Sequence, residues 1–329
     1  MNIIKYIWNS FNNLINDNND NKFTIDINTD VFNSFSEIES LTQFSSNIQI
    51  LQIKYQENNQ KLMDILRYVL NSKEISIRVF DLTTEIIKFS PWTYEVWVIR
   101  RKCLSEIEEI DIYDEIEFTN NILIYYSKVY QVWHHRKLLI DKLNECSQEK
   151  KIMQKILEKD SKNFHCWSHR IWMIRRFNNI EGEFEFIEQM LENDVKNNSV
   201  WNYRFFLVEY INKNNVNENI IKKEIEYALN KIKLVPFNES PFNYINGFIC
   251  KYKRKYKDYE DVINQFVLLY EKEKNNSNNC IFILRLLLEY YEEDKNRIKF
   301  NNIIEQLIKI DYIRKKYYLW RKNNYKDKE

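Results

Sequence analysis

The sequence predicts an all-α protein of tandem helical hairpins, and three observations carry that prediction. First, Trp97, Trp133, Trp167 and Trp201 each follow Val or Cys and stand three residues before an arginine, Arg100, Arg136, Arg170 and Arg204. The copies are 36, 34 and 34 residues apart, and a period of about 34 is the length of one helical hairpin. Second, an aliphatic residue stands ten positions before each Trp: Ile87, Leu123, Leu157 and Leu191. Third, only 2 Gly and 3 Pro occur in 329 residues, against average usage of about 7% and 5%. Few positions can then take the positive φ that tight β-hairpins need.

In chain order, residues 1–45 are rich in Asn, Asp and Ser, and the tract Asn16–Asn21 offers little to bury. They are expected to form a disordered extension before a repeat domain spanning 46–329. A short apolar alternation at Ile48, Ile50 and Ile53 leads into Leu62, Ile65, Leu66, Val69 and Leu70, whose spacing is that of a core-facing helical stripe. Arg78 to Phe89 is the next helix, ended by Ser90-Pro91 because the residue before Pro is pushed out of the α region. From Trp92 each repeat reads as a first helix carrying Trp and Arg, a polar turn, and a second helix ending at a Ser/Asn-rich corner. The corners, at Ser90-Pro91, Ser127-Lys128, 160–163 and 197–199, hold cap-forming residues just before helix starts. Ile221, Ile225, Ala228, Leu229, Ile232 and Val235 form the clearest amphipathic stripe. A fifth unit has its corner at 235–242, with Phe242 in the Trp slot and Ile245 in the Arg slot, the drift expected of a terminal repeat. Three further helical stretches follow at 266–270, 281–291 and 303–318.

The 49 basic and 48 acidic residues nearly cancel, leaving +1. That argues against nucleic acid or an anionic membrane face as the main partner. The five cysteines are odd in number, far apart and without a C-x-x-C pair, the pattern of free thiols in a reducing compartment. No apolar run reaches the roughly 18–20 residues that span a bilayer, and Met1 to Phe11 is too polar for a secretory signal. A cytoplasmic protein is expected.

Because Trp and Arg recur in every copy, they read as structure. The Trp offers apolar area between layers. The Arg lies on the same helical face and can bond carbonyls or a nearby carboxylate. Function belongs to what differs between copies. One such difference is a concentration of histidines, His165 and His169 around Cys166 and the pair His134-His135, and the i, i+4 spacing of His165 and His169 is also a metal-ligand spacing. No carboxylate or second cysteine completes that set, and His135 and His169 occupy equivalent repeat positions. The run Lys251, Lys253, Arg254, Lys255, Lys257, interleaved with Tyr252 and Tyr256, reads as a solvated helix face rather than an RNA surface.

Lys128-Val129-Tyr130-Gln131-Val132-Trp133-His134-His135-Arg136 is similar to the K-N-Y-Q-V-W-H-H-R segment of the α subunit shared by protein farnesyltransferase and type I geranylgeranyltransferase. The segment from Lys162 to Arg170 is similar to that family's K-N-Y-H-x-W-x-H-R. Residues 197–202, 234–240 and 311–317 resemble three further signatures, in order, over roughly 48–320. The related subunit of the enzyme that prenylates Rab proteins typically has Gly in the Gln131 slot, so the farnesyl/type I reading is preferred. The resemblance implies a right-handed superhelical crescent, an α-α solenoid wrapped around a catalytic β subunit.

The resemblance further implies a transferase that moves a farnesyl or geranylgeranyl group from its diphosphate to a cysteine thiol near the C-terminus of CaaX proteins. Zinc would sit on the β subunit, making the thiol a thiolate, with magnesium assisting farnesyl transfer and no metal on this chain. Lys128 is assigned the leaving diphosphate, where negative charge grows on the bridging oxygen. Tyr130 and Tyr94, which share one repeat slot, line the groove. Gln131 bonds the peptide's terminal carboxylate, and its slot holds Glu95, His165 and Ser199 in the other copies. His165 donates to the diphosphate. Phe164 replaces the family's Tyr and lacks its hydroxyl, and Val129 replaces its Asn. The alternative from another class is a non-catalytic scaffold that binds peptides along its repeats.

Overall fold

A computed structural model describes residues 27–38, 55–274 and 280–325. Among them are sixteen α-helices and two short 3-10 turns. The chain divides into two compact units, one ending at Glu145 and one beginning at Cys146. The first unit contains α1 (Asp30–Asn33), α2 (Glu57–Ser72), α3 (Ile77–Phe89), α4 (Tyr94–Glu106), α5 (Ile112–Tyr125) and α6 (Tyr130–Leu143). The second contains α7 (Glu149–Lys159), α8 (Phe164–Phe177), α9 (Glu183–Asn193), α10 (Asn198–Ile211), α11 (Glu218–Leu234), α12 (Glu239–Lys251), α13 (Glu260–Glu273), α14 (Ile281–Glu293), α15 (Arg297–Ile310) and α16 (Lys315–Asn324).

The expected N-terminal extension lies mostly outside the described residues, as does the alternation at Ile48, Ile50 and Ile53. Its described part carries α1, which packs on α3 with Val31 and Phe35 buried. Of the first predicted stripe, Leu62, Ile65, Leu66 and Val69 are buried, whereas Leu70 at the helix edge is exposed. The aliphatic residues ten before each Trp are all buried.

The repeat register differs from the sequence reading. Helices pair across the corners, α3 with α4, α5 with α6, α7 with α8, α9 with α10 and α11 with α12, so the Trp helix is the second member of its hairpin. The reason is the corner itself. Four residues separate the helices each time, and the first carbonyl accepts from the fourth N–H at 3.0–3.2 Å: Ser90 from Thr93, Tyr126 from Val129, Asp160 from Asn163, Asp194 from Asn197, Val235 from Asn238. Such a closed turn reverses the chain within one step.

The Trp fastens that turn. Trp97 Nε1 donates to Pro91 O at 2.7 Å, Trp133 to Ser127 O at 2.7 Å, Trp167 to Ser161 O at 2.9 Å and Trp201 to Val195 O at 2.9 Å. The acceptor is always the second corner carbonyl, six residues back. Each indole therefore buries apolar area and satisfies its polar atom inside its own hairpin. The Trp helices α4 and α6 then stack side by side in the first unit, and in the second α8 and α10 stack in series with α12 and α14, which carry no Trp.

Three sequence expectations need correction. The fifth unit is not terminal, because α13 to α16 follow it, and Phe242 is buried against Phe266 and Phe282. The basic run is not a helix face: α12 ends at Lys251, Lys253 takes a positive φ of 51°, and Tyr256–Tyr259 form a 3-10 turn. The predicted stretch 303–318 is broken at Asp311, whose buried carboxylate accepts from Tyr318 Oη at 2.8 Å and pairs with Arg314.

The clasp predicts unequal costs for one substitution at two copies. Ser161 O also accepts Asn197 Nδ2 at 3.1 Å, so Trp167→Phe leaves that carbonyl satisfied. Trp97→Phe removes the side-chain donor to Pro91 O in a buried setting. Denaturant titration should show Trp97→Phe costing about 1–3 kcal/mol and Trp167→Phe about 1 kcal/mol. Equal costs would mean that the indole N–H is not what the corner needs.

Candidate functional site

Beneath the surface three hairpins, α5–α6, α7–α8 and α9–α10, are each locked by a buried glutamate near the start of the first helix. Glu115, Glu149 and Glu183 are at most 2% exposed. Arg100 reaches Glu115 through Nε and Nη2, both at 2.6 Å. Arg170 grips Glu183 at 2.7 and 3.0 Å, and Arg204 grips Glu224 at 2.9 and 3.2 Å. A second donor comes from the second helix of the same hairpin, always twenty residues after the glutamate: His135 to Glu115 at 2.6 Å, His169 to Glu149 at 2.7 Å, Tyr203 to Glu183 at 2.5 Å and Tyr244 to Glu224 at 2.6 Å. The same rings pack on the preceding Trp, with centroids 5.0 Å apart for Trp97–His135 and 5.1 Å for Trp167–Tyr203 and Trp201–Tyr244.

The electrostatics follow from that geometry. Burial raises the Glu115 pKa, but the Arg100 charge and the hydrogen bonds from His135 and Arg100 outweigh it and hold the carboxyl at about 2. Burial keeps the His135 imidazole below its ordinary range against the pull of Glu115. The ring is therefore neutral, with its proton on Nε2 toward the carboxylate, and the buried Nδ1 meets no donor among the described residues. His135 and His169 are thus occupied by glutamates, which is the structural alternative to metal ligation. Burial also pushes the Cys166 thiol up to about 12, so it is no nucleophile.

In each unit the differentiated residues sit at the corners and the first turns that follow them. In the first unit Lys128 is the exposed third residue of its corner. Tyr130 is the first residue of α6 and is 63% exposed, and Tyr94 opens α4 at 62%. Exposed aromatic rings at two equivalent positions are not core. In the second unit Phe164 opens α8 at 76% exposed, with its ring edge-on to the half-buried His165.

Capping separates the corners. Asn163, Asn197 and Asn238 accept from the first-turn N–H of Cys166, Ser199 and Ser240. Asn197 and Asn238 also donate back to the preceding corner, to Ser161 O and Val195 O at 3.1 and 2.8 Å. The corner residues just before α4 and α6, Thr93 and Val129, make no side-chain cap. The Ser/Asn corners are therefore real caps in the second unit only. In α6 the corner-to-corner bond is made instead by Gln131, whose Nε2 donates to Trp92 O at 2.9 Å. An amide nitrogen has two N–H groups, so one remains for another acceptor. The first turn of α6 thus combines backbone N–H groups without a side-chain cap, the positive end of the helix dipole and an adjacent ammonium. Together these favour an anion.

Sequence reasoning missed the four glutamates and the Trp-to-carbonyl clasp. Glu115, Glu149 and Glu183 do recur every 34 residues, so the period could have found them.

Among known proteins, the family profile described as protein prenyltransferase alpha subunit repeat matches residues 112–143, 146–177 and 180–211. Its boundaries agree with the hairpin register seen in the structure. Protein farnesyltransferase/geranylgeranyltransferase type-1 subunit alpha of Candida albicans is 32% identical over 275 residues, 81% of this chain and 89% of that protein. The Dictyostelium discoideum protein of the same name is 33% identical over 303 residues, 89% of this chain and 92% of that protein. In three dimensions the chain resembles a chain of Candida albicans protein geranylgeranyltransferase-I complexed with GGPP. The TM-score is 0.79 at 28% identity, covering 93% of this chain and 100% of that one.

Glu115 gives a pH-dependent expectation. Its folded pKa lies below its ordinary 4.5, at about 2. The associated stability, about 3 kcal/mol, is therefore complete above pH 4.5 and lost as pH falls toward 2. Glu115→Gln, which strands buried Arg100, should cost about 3–5 kcal/mol at neutral pH. The gap between wild type and variant in urea unfolding should shrink as the pH is lowered. A gap that stays constant down to pH 2 would contradict the assigned ion pair.

Proposed function

Because the chain belongs to the family of protein farnesyltransferase/geranylgeranyltransferase type-1 α subunits, we propose that it is the α subunit of a heterodimeric CaaX prenyltransferase. In this reading it pairs with a catalytic β subunit, and the complex moves a farnesyl or geranylgeranyl group from its diphosphate to a cysteine thiol near the C-terminus of a protein. The observation that carries the reading is the first turn of α6. It is the copy that joins a corner lysine, an exposed tyrosine and a glutamine on a helix start without a side-chain cap.

As the thiolate attacks the first carbon of the isoprenoid, a C–S bond forms, the C–O bond to diphosphate breaks, and charge collects on the departing bridging oxygen. An ammonium at Lys128, set beside the positive end of α6, stabilises that charge more than it stabilises the intact substrate. That difference is what accelerates the step. By the resemblance alone, His165, on the first turn of α8, takes the role of a hydrogen-bond donor to diphosphate. Tyr130 and Tyr94 present exposed rings to the isoprenoid and the peptide, and Phe164 contributes apolar area without a hydroxyl. The remaining N–H of Gln131 donates to the terminal carboxylate of the CaaX peptide.

Zinc belongs to the β subunit in this reading, where it supplies the thiolate, and magnesium assists farnesyl transfer. On this chain His135 and His169 hold glutamates, so no step is assigned to a metal here. Among the described residues no helix is long and apolar enough to cross a membrane.

Co-expression with a CaaX prenyltransferase β subunit should give a heterodimer that transfers an isoprenoid to a CaaX peptide, with no transfer by either chain alone. Lys128→Ala should lower the single-turnover rate about 10- to 100-fold while peptide affinity stays within about twofold. A stable chain that binds peptides and no β subunit would favour the scaffold reading instead.

A further inference from the structure

The repeat accounts for His135, and the transfer reading accounts for Lys128, Tyr130 and Gln131, but neither uses His134. It stands one residue after Trp133, in a slot that holds Val98, Ser168 and Asn202 in the other copies. It is also four residues after Tyr130, which puts both rings on one face of α6. The two rings stack, with centroids 5.9 Å apart and planes 10° from parallel. The equivalent exposed rings have no such neighbour along their helices, since Tyr94 has Val98 at the fourth position and Phe164 has Ser168.

We propose that His134 is a positioning residue for the transfer site: its imidazole, one turn along α6, holds the exposed Tyr130 ring in the orientation it presents to the substrates. This rests on the reading of Tyr130 as a site residue. A tyrosine exposed at the first position of a helix samples several rotamers, and a substrate that needs one of them must bear the cost of selecting it. A parallel aromatic partner on the same face removes that cost before binding. Burial, Arg101 on α4 and Lys137 one turn farther along α6 all hold the imidazole below its ordinary range. The stack is then a neutral ring on a phenol, and the cationic charge near the leaving group is left to Lys128.

The test uses the heterodimer with its β subunit, a CaaX peptide and farnesyl or geranylgeranyl diphosphate. His134→Ala should lower kcat/KM for the peptide by about two- to tenfold, with the heterodimer's melting temperature unchanged. His134→Phe, which keeps a flat ring at the fourth position, should restore it. In a Tyr130→Ala background His134→Ala should cause no further loss, because the ring it positions is gone. Additive losses in the double variant, no loss from His134→Ala, or failure of His134→Phe to restore the rate would each overturn the proposal. No loss from Tyr130→Ala itself would overturn the underlying reading of the site, and the proposal with it.

Discussion

A buried glutamate shared by two successive repeats is the constraint on which the rest of the structure depends. A carboxylate removed from water is tolerable only with full compensation. Buried Glu115 and Glu183, and the partly exposed Glu224, each receive a two-point arginine grip from one side and a His or Tyr donor from the second helix of their own hairpin. Each bond is charge-assisted, and two parallel bonds fix an angle as well as a distance. A hydrophobic contact at this place would tolerate sliding between hairpins. A carboxylate with both oxygens engaged does not, and it fixes the helices it joins.

That division of labour explains why chemistry can be placed in one copy. Trp, Arg and Glu fix each hairpin from within, and the first turn after the corner is left on the surface. In the second unit that turn is closed by asparagines that cap the helix and tie corner to corner. At α6 the cap residue is Val129, and the tie is taken over by Gln131. The substitution of Val for Asn, a minor departure when seen in the sequence, is what leaves the α6 N-terminus without a side-chain cap beside Lys128. Gln131 accordingly makes a structural bond through one N–H and has a second N–H besides.

Much of the fold was legible in the sequence because a stacked repeat writes its contacts at a fixed period. The Trp and Arg positions, the buried aliphatics at 87, 123, 157 and 191 and the near absence of Gly and Pro were sufficient for an all-α hairpin array. The hairpin register was not legible, because what sets it is a backbone turn closed by carbonyls, and a carbonyl has no sequence signature. The same reason hid the partners of the indoles and of Gln131. Three glutamates keep the 34-residue period, while Glu224 lies 41 residues after Glu183, where a longer α11 shifts the pattern. The break at Asp311 was masked by apolar spacing that continues across it. At the site, residue types and their difference between copies were readable, whereas exposure, capping and ring stacking required three dimensions.

In the proposed function, one corner of an otherwise structural repeat takes the leaving group. Lys128 and Lys196 occupy the same corner slot of two repeats, and only the helix after Lys196 is capped by an asparagine side chain. The most direct measurement is the single-turnover rate of isoprenoid transfer by the heterodimer carrying Lys128→Ala beside that carrying Lys196→Ala. A rate depressed by at least about tenfold at Lys128 and unchanged within about twofold at Lys196 is the result this account predicts. Equal effects at the two lysines, or none at Lys128, would contradict it.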